Sequence, residues 1–173
     1  MTDAIIDRFA ACLPLTLREE TGAPQVWGQP IRRTKWSYLD HPRDPGGATM
    51  CGITHKVYDG WRDICGQPRR HVRDIDDHEI VDIYRMQYWD QVPCDRLPVG
   101  VDMAVFDAAV HTGYGQAIRF LQRASGADPD GHIGTATLAA VHAMLPTDVV
   151  ARVMAHRRAH GRGLNNFSAF ARN

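Results

Sequence analysis

The sequence predicts a mainly helical α+β protein in which one small β region interrupts helices on either side. Three observations predict it. Residues 4–20, and the chain beyond residue 98, carry apolar residues at a 3.6-residue period, the mark of helices that bury one face. Residues 21–37 hold Gly22, Pro24, Gly28 and Pro30 beside Trp27 and Trp36, which reads as an extended or hairpin-like excursion. The run Asp40-His41-Pro42-Arg43-Asp44-Pro45-Gly46-Gly47-Ala48-Thr49-Met50-Cys51-Gly52-Ile53-Thr54 combines prolines that bar a regular helix with glycines that permit φ > 0. Residues 22–54 are therefore expected to form a small β-hairpin region, and a loop of this kind is a natural mount for polar, reactive side chains.

In residues 4–20, Ile6, Phe9, Leu13 and Leu17 set the apolar stripe, with Pro14 inside it either kinking the helix or restarting it. One further step lands on Glu20. At about 100° per residue, Glu20 lies within roughly 40° of the stripe and Glu19 about 140° away. A carboxyl that continues an apolar face points to the interior or to the lip of a cleft, where desolvation raises its pKa; the alternative is a glutamate that fans into solvent. In the excursion, Trp27 and Trp36 beside Arg32, Arg33 and Lys35 suit stacking on sugars or bases, or sealing the excursion against the body.

Asp76 with Glu79 has the spacing of a capping box, with Ile75 as staple and Ile80, Ile83, Tyr84 and Tyr88 as the buried stripe of a helix that Pro93 ends. Gln91–Pro98 is the expected lobe boundary, giving lobes 1–95 and 96–173. In the second lobe, Val101, Val105 and Ala108 stripe a helix closed by Gly113, and Ile118 and Leu121 one closed by Gly126. Helices over Thr135–Leu145 and Thr147–His160 follow, the last capped by Thr147 and ended by Gly161. The turn Asp128-Pro129-Asp130-Gly131 resembles a calcium loop but lacks its closing glutamate.

The 173 residues carry no net charge, but the first 95 hold 12 basic and 15 acidic side chains and the remainder 8 and 5. No acid follows Asp148, whereas Arg152, Arg157, Arg158, Arg162 and Arg172 do, so the end of the chain is either a solvated Arg-rich face or a surface for a polyanion such as a bacterial envelope. The charged first helix and the absence of an 18-residue apolar run lead us to expect neither a signal peptide nor a membrane span. Cys12, Cys51, Cys65 and Cys94 are irregularly spaced, with no CxxC or HExxH; they are expected as buried free thiols. Cys51 and His55 could share a helix face, but further metal ligands are lacking.

An inward carboxyl at a helix end, an excursion, then Asp44 and Thr49 on a Gly/Pro turn fit glycoside hydrolysis. That reaction uses one carboxyl kept protonated to serve the leaving oxygen and one kept ionised to position water or stabilise charge. Glu20 suits the first role and Asp44 the second. The segments LPLTLREETG and YLDHPRDPGGATMCGIT resemble the opening of the glycoside hydrolase family 108 muramidases, lysozyme-like endolysins of phages, prophages and gene-transfer-agent clusters. The stretch VFDAAVHTGYGQAIRFLQRASGADPDGHIGTATLAAV resembles the helical peptidoglycan-binding domain that follows in such proteins, including its element Asp130, Gly131, Gly134, Thr137.

The resemblance implies a lysozyme-like fold with a β-hairpin lip and a C-terminal helical lobe, the substrate groove running between them. It implies Glu20 as general acid, Asp44 orienting the attacking water and Thr49 supporting it. Tyr38, Asp40 and His41 would line the cleft, with Thr54 and His111 as further substrate contacts. The implied activity cleaves peptidoglycan between N-acetylmuramic acid and N-acetylglucosamine without a metal or other cofactor. The partners would be glycan strands and a holin-like or secretion device releasing a cytoplasmically made protein to the wall.

Two departures stand out. The family's Glu-Gly-Gly-Tyr is here Glu20-Thr21-Gly22 followed by an insertion, about residues 22–37, so Glu20 and Asp44 stand 24 positions apart. His111 replaces the family's usual asparagine. Loop closure costs only about 0.6 kcal/mol per doubling of length, so the insertion is compatible with an intact site. A non-catalytic wall-binding protein with a dismantled site is the alternative reading. A nucleic-acid module is disfavoured by zero net charge and the short basic run.

Overall fold

The computed structural model describes residues 7–40 and 47–170, with side chains described to Gly163. The chain divides into two compact units, residues 1–86 and 87–173. The division lies a few residues ahead of the Gln91–Pro98 segment.

The first unit opens with α1 (Arg8–Thr21), capped by the Asp7 carboxylate, which accepts the Phe9 N–H at 3.1 Å. Pro14 lies inside α1 without breaking it. Phe9, Leu13 and Leu17 of the expected stripe are buried, joined by Cys12, while Ile6 lies outside the described residues; Gly22 ends the helix in the left-handed conformation, φ 68°. Strands β1 (Tyr38–Leu39), β2 (Thr49–Met50) and β3 (Ile53–Thr54) form an antiparallel sheet in that order, pairing Tyr38 with Met50 and Met50 with Ile53. The hairpin region is therefore narrower than expected. Residues 22–37 contain turns but no strand, because Pro24 and Pro30 lack amide donors and Gly28 turns the chain at φ 75°.

Thr54 then caps α2 (His55–Ile64), accepting the Val57 N–H at 3.3 Å. The extent of this helix is not marked in the sequence. Cys51 and His55 do not share a helix face, which the sequence left open: Cys51 is in the β2–β3 turn at φ 49°, and the helix starts only at His55.

Asp76 and Glu79 form the expected reciprocal capping box at the start of α3 (Asp77–Tyr84), which buries Ile80, Ile83 and Tyr84. Its regular part ends at Tyr84, well before Pro93, and continues as a π-helical turn over Arg85–Trp89. Glu79 is more than a cap. Its buried carboxylate pairs with Arg62, accepts the Tyr58 hydroxyl at 2.7 Å, accepts the Asp76 N–H at 3.0 Å and pairs with Arg70. Burial pushes this carboxyl's pKa up, but the hydrogen bonds from Tyr58, Asp76 and Arg70 outweigh it and leave it below its ordinary value.

The second unit packs α4 (Val101–Thr112), α5 (Tyr114–Ser125), α6 (Thr135–His142) and α7 (Pro146–Phe170). Gly113 and Gly126 close α4 and α5 as expected. Helix α6 stops at His142 rather than Leu145. Helix α7 starts at Pro146, whose missing N–H suits a first helical position, so Thr147 is not its cap. It also runs through Gly161, since one glycine costs a helix only about 1 kcal/mol.

Gln122, fully buried, organises the Asp130–Thr137 element. Its amide donates to Asp130 Oδ1 at 2.7 Å, the His132 carbonyl at 2.9 Å and Thr137 Oγ1 at 3.3 Å, while its own oxygen accepts the Gly131 N–H at 2.9 Å. The Gln122 amide and the His132 N–H hold the Asp130 pKa below the usual carboxylate range. No single helix among the described residues is long and apolar enough to cross a membrane.

Removing Glu79 strands Arg62 in the interior, so Glu79→Ala should cost about 3–5 kcal/mol in unfolding free energy. Because the folded pKa of Glu79 is depressed, its stabilising contribution is present above its ordinary pKa of 4.5 and lost as pH falls through the folded value. The melting temperature of the wild type should therefore drop more steeply below about pH 4.5 than that of Glu79→Gln. Gln122→Leu leaves several buried groups unpaired and should cost about 1–3 kcal/mol, read from the denaturant midpoint of the second unit.

Candidate active site

The last turn of α1 presents Glu20 half-buried toward the β2–β3 turn. A Cβ on Gly52 would stand 2.7 Å from Glu20 Oε2, 2.8 Å from its carboxyl carbon and 2.7 Å from the Tyr84 hydroxyl oxygen. Only a bare Cα fits there, and at φ 78° glycine is also the residue the backbone favours. Tyr84, buried on α3, donates to the Cys51 carbonyl at 2.9 Å and so fixes this turn from below. Of the two adjacent glutamates, the inward one is the one the helical stripe selected.

The insertion is fastened at its feet rather than left free. Thr34 Oγ1 donates to the Thr21 carbonyl at 2.5 Å, Ser37 Oγ reaches the same carbonyl at 3.5 Å, and the Cys51 N–H donates to the Ser37 carbonyl at 2.6 Å. These bonds join the end of α1, residues 34–37 and the β2–β3 turn around Glu20. Higher up, Gln25 pairs its side-chain amide with both backbone groups of Arg32, at 2.8 and 3.0 Å, standing in for a missing strand partner. Asp77 accepts the Ile31 N–H at 2.8 Å and pairs with Arg33 at 2.7 Å, tying the excursion to the start of α3.

Beneath the excursion lies a cavity of about 420 Å³, walled by Leu13, Leu17, Val26, Trp27, Ile31 and Val81 among others; Glu20 is not part of its lining.

The sheet places Thr49 opposite Leu39 and Thr54, half-buried, its hydroxyl 3.4 Å from the Gly47 carbonyl. Tyr38 donates its hydroxyl to Asp40 at 3.0 Å and accepts from Arg73 at 3.0 Å, with the Arg73 guanidinium 4.5 Å above its ring. The His71 ring lies 6.4 Å from Tyr38 and 4.8 Å from His55. Arg73, His55 and His71 thus join Tyr38 and Asp40 in one partly exposed polar cluster; the sequence singles out only the last two, because the others come from α2 and a short 3₁₀ turn (Val72–Asp74) with no local spacing to flag them.

Asp44 and His41 lie outside the described residues. His111, in the last turn of α4 in the second unit, bonds the Asp107 carbonyl at 2.8 Å. Cys12, Cys51 and Cys94 are buried and in no disulfide, while Cys65 is exposed rather than buried as expected. Burial pushes the Cys51 pKa up, against the opposing pull of Arg33, which makes it a packing thiol rather than a nucleophile.

Gly52→Ala combines a left-handed backbone with overlap against Glu20 and Tyr84. It should lower stability by about 1–2 kcal/mol in thermal melts. It should also cut any activity that depends on Glu20 by on the order of 10²-fold, because an ångström of misplacement is enough for such a loss.

No curated protein matches the chain. The profile of the glycosyl hydrolase 108 family matches residues 34–113, beginning downstream of Glu20. The solved structure of Brucella abortus SagA is similar at 36% identity and a TM-score of 0.75, covering 94% of this chain and 84% of that one. With that likeness running through nearly the whole of both chains, and the family profile matched within it, the chain belongs to glycoside hydrolase family 108, a lysozyme-like family of peptidoglycan hydrolases.

Proposed function

We propose that the protein is an N-acetylmuramidase that cleaves the glycosidic bond between N-acetylmuramic acid and N-acetylglucosamine. The observation that carries this reading is the packing of the Glu20 carboxyl against Gly52 and Tyr84 at the end of α1. A half-buried carboxyl held in place at the end of a helix is the kind of group that proton delivery to a leaving oxygen requires. In this reading Glu20 protonates the glycosidic oxygen as the bond breaks. Asp44, in the segment between β1 and β2, positions water or stabilises charge at the anomeric carbon, and Thr49 supports that water. Tyr38, Asp40 and His41 line the approach, with Thr54 and His111 as further substrate contacts.

In the same reading, the segment 1–95 carries the chemistry and 96–173 holds the wall. The basic excess of 96–173, 8 basic against 5 acidic side chains, supports the latter, since glycan strands bearing stem peptides are polyanionic. Action on the wall of a living cell would need delivery by a holin-like or secretion partner, in keeping with a phage, prophage or gene-transfer-agent setting and a bacteriolytic role.

The test is mass spectrometry of soluble products from purified peptidoglycan, with wild type and Glu20→Gln side by side. Muropeptides ending in reducing N-acetylmuramic acid are expected from the wild type, and at least 10²-fold less from Glu20→Gln. Reducing N-acetylglucosamine ends would overturn the bond assignment. Equal release by both proteins would remove Glu20 from the chemistry, and no release by either, with both pelleting on sacculi, would indicate a wall-binding protein.

A further inference from the structure

The excursion between Glu20 and the sheet exposes an indole that the core does not use. We propose that Trp36 is a carbohydrate platform beside Glu20, on which a sugar ring of the substrate strand stacks; the proposal rests on reading Glu20 as part of a glycosidase. Trp36 is 61% exposed, whereas Trp61 and Trp89 are buried. It is also held in place. Its backbone N–H donates to Thr34 Oγ1 at 3.1 Å, Thr34 is bonded to the Thr21 carbonyl, and the next residue, Ser37, is buried and its carbonyl accepts the Cys51 N–H.

The location follows from the same bonds. Trp36 Cδ1 stands 3.5 Å from where a Cβ on Gly22 would be, so the indole lies against the α1 terminus two residues past Glu20. A large aromatic surface anchored at its backbone and open to solvent gives up little freedom on binding a ligand. The Lys35 ammonium stands 4.8 Å from the ring centre. It marks a π face that attracts positive charge, and the C–H face of a sugar presents the same polarity; the flexible lysine can turn aside and donate to sugar hydroxyls.

Arg32 and Arg33 near two tryptophans also suggest a lipid-interface anchor. The contacts argue against it. Arg33 is committed to Asp77 at 2.7 Å and to the Ile75 carbonyl, and Trp27, 46% exposed, turns one edge to Phe9 at 6.0 Å, so one of the two arginines and part of one of the two indoles are engaged by the protein itself.

The experiment is calorimetric titration of Glu20→Gln, alone and combined with Trp36→Ala or Trp36→Phe. The probe is a soluble tetrasaccharide of alternating N-acetylglucosamine and N-acetylmuramic acid. Trp36→Ala should weaken binding about tenfold and Trp36→Phe no more than about threefold, as a retained aromatic face requires. In the otherwise wild-type protein, Trp36→Ala should raise KM on soluble glycan strands by about the same factor and leave kcat within about twofold. Should the wild type digest glycan while Trp36→Ala matches it in affinity and KM, the platform falls and the glycosidase reading stands. If no saccharide binds and the wild type releases no sugar, both fall. A Trp36-dependent fluorescence shift with phosphatidylglycerol vesicles and none with the tetrasaccharide would make the surface a membrane contact and overturn the proposal.

Discussion

The fit of the Glu20 carboxyl against the bare Cα of Gly52 is the constraint around which the first unit is arranged. A polar group that meets backbone this closely holds its place only if both sides are fixed. The helix side is fixed by the buried stripe of Phe9, Leu13 and Leu17, and the turn side by Tyr84 beneath the Cys51 carbonyl. The insertion supplies a third support, because Thr34 and Ser37 bind the Thr21 carbonyl that follows Glu20. A long excursion therefore leaves the geometry at its base intact: its feet carry the hydrogen bonds, and its tip is tied off by Gln25 and Asp77.

Much of this was legible from local rules. Helical periodicity alone separated Glu20 from Glu19, and the capping box at Asp76 and Glu79 marked the start of α3. Glycines closed α4 and α5 where expected, each with positive φ. What failed did so for physical reasons. Helix α2 buries Tyr58 and Trp61 beside a buried Arg62, and a charged residue on the inner face masks the apolar period. That arginine is tolerated only because Glu79 lies against it, a pairing across 17 residues that no short-range pattern encodes. The apparent stop at Gly161 was overridden by the continuing helix.

The candidate site divides the same way. Residues that share a segment, such as Glu20 on its stripe or Thr49 on its strand, could be named from the chain. Gly52 and Tyr84 acquire their roles only when α1, the β2–β3 turn and α3 come together, and Arg73 acquires its contact with Tyr38 only through a pairing 35 positions apart. Likewise the element at Asp130 and Thr137 looks like a surface motif in the sequence, but its order comes from a buried glutamine on another helix.

The most direct measurement is a crystal structure of the Glu20→Gln variant bound to a glycan tetrasaccharide of the wall. The account predicts a glycosidic oxygen within hydrogen-bonding distance of the side-chain amide at position 20, with that side chain still resting on Gly52. A strand bound away from position 20, or a side chain there swung clear of Gly52, would contradict it.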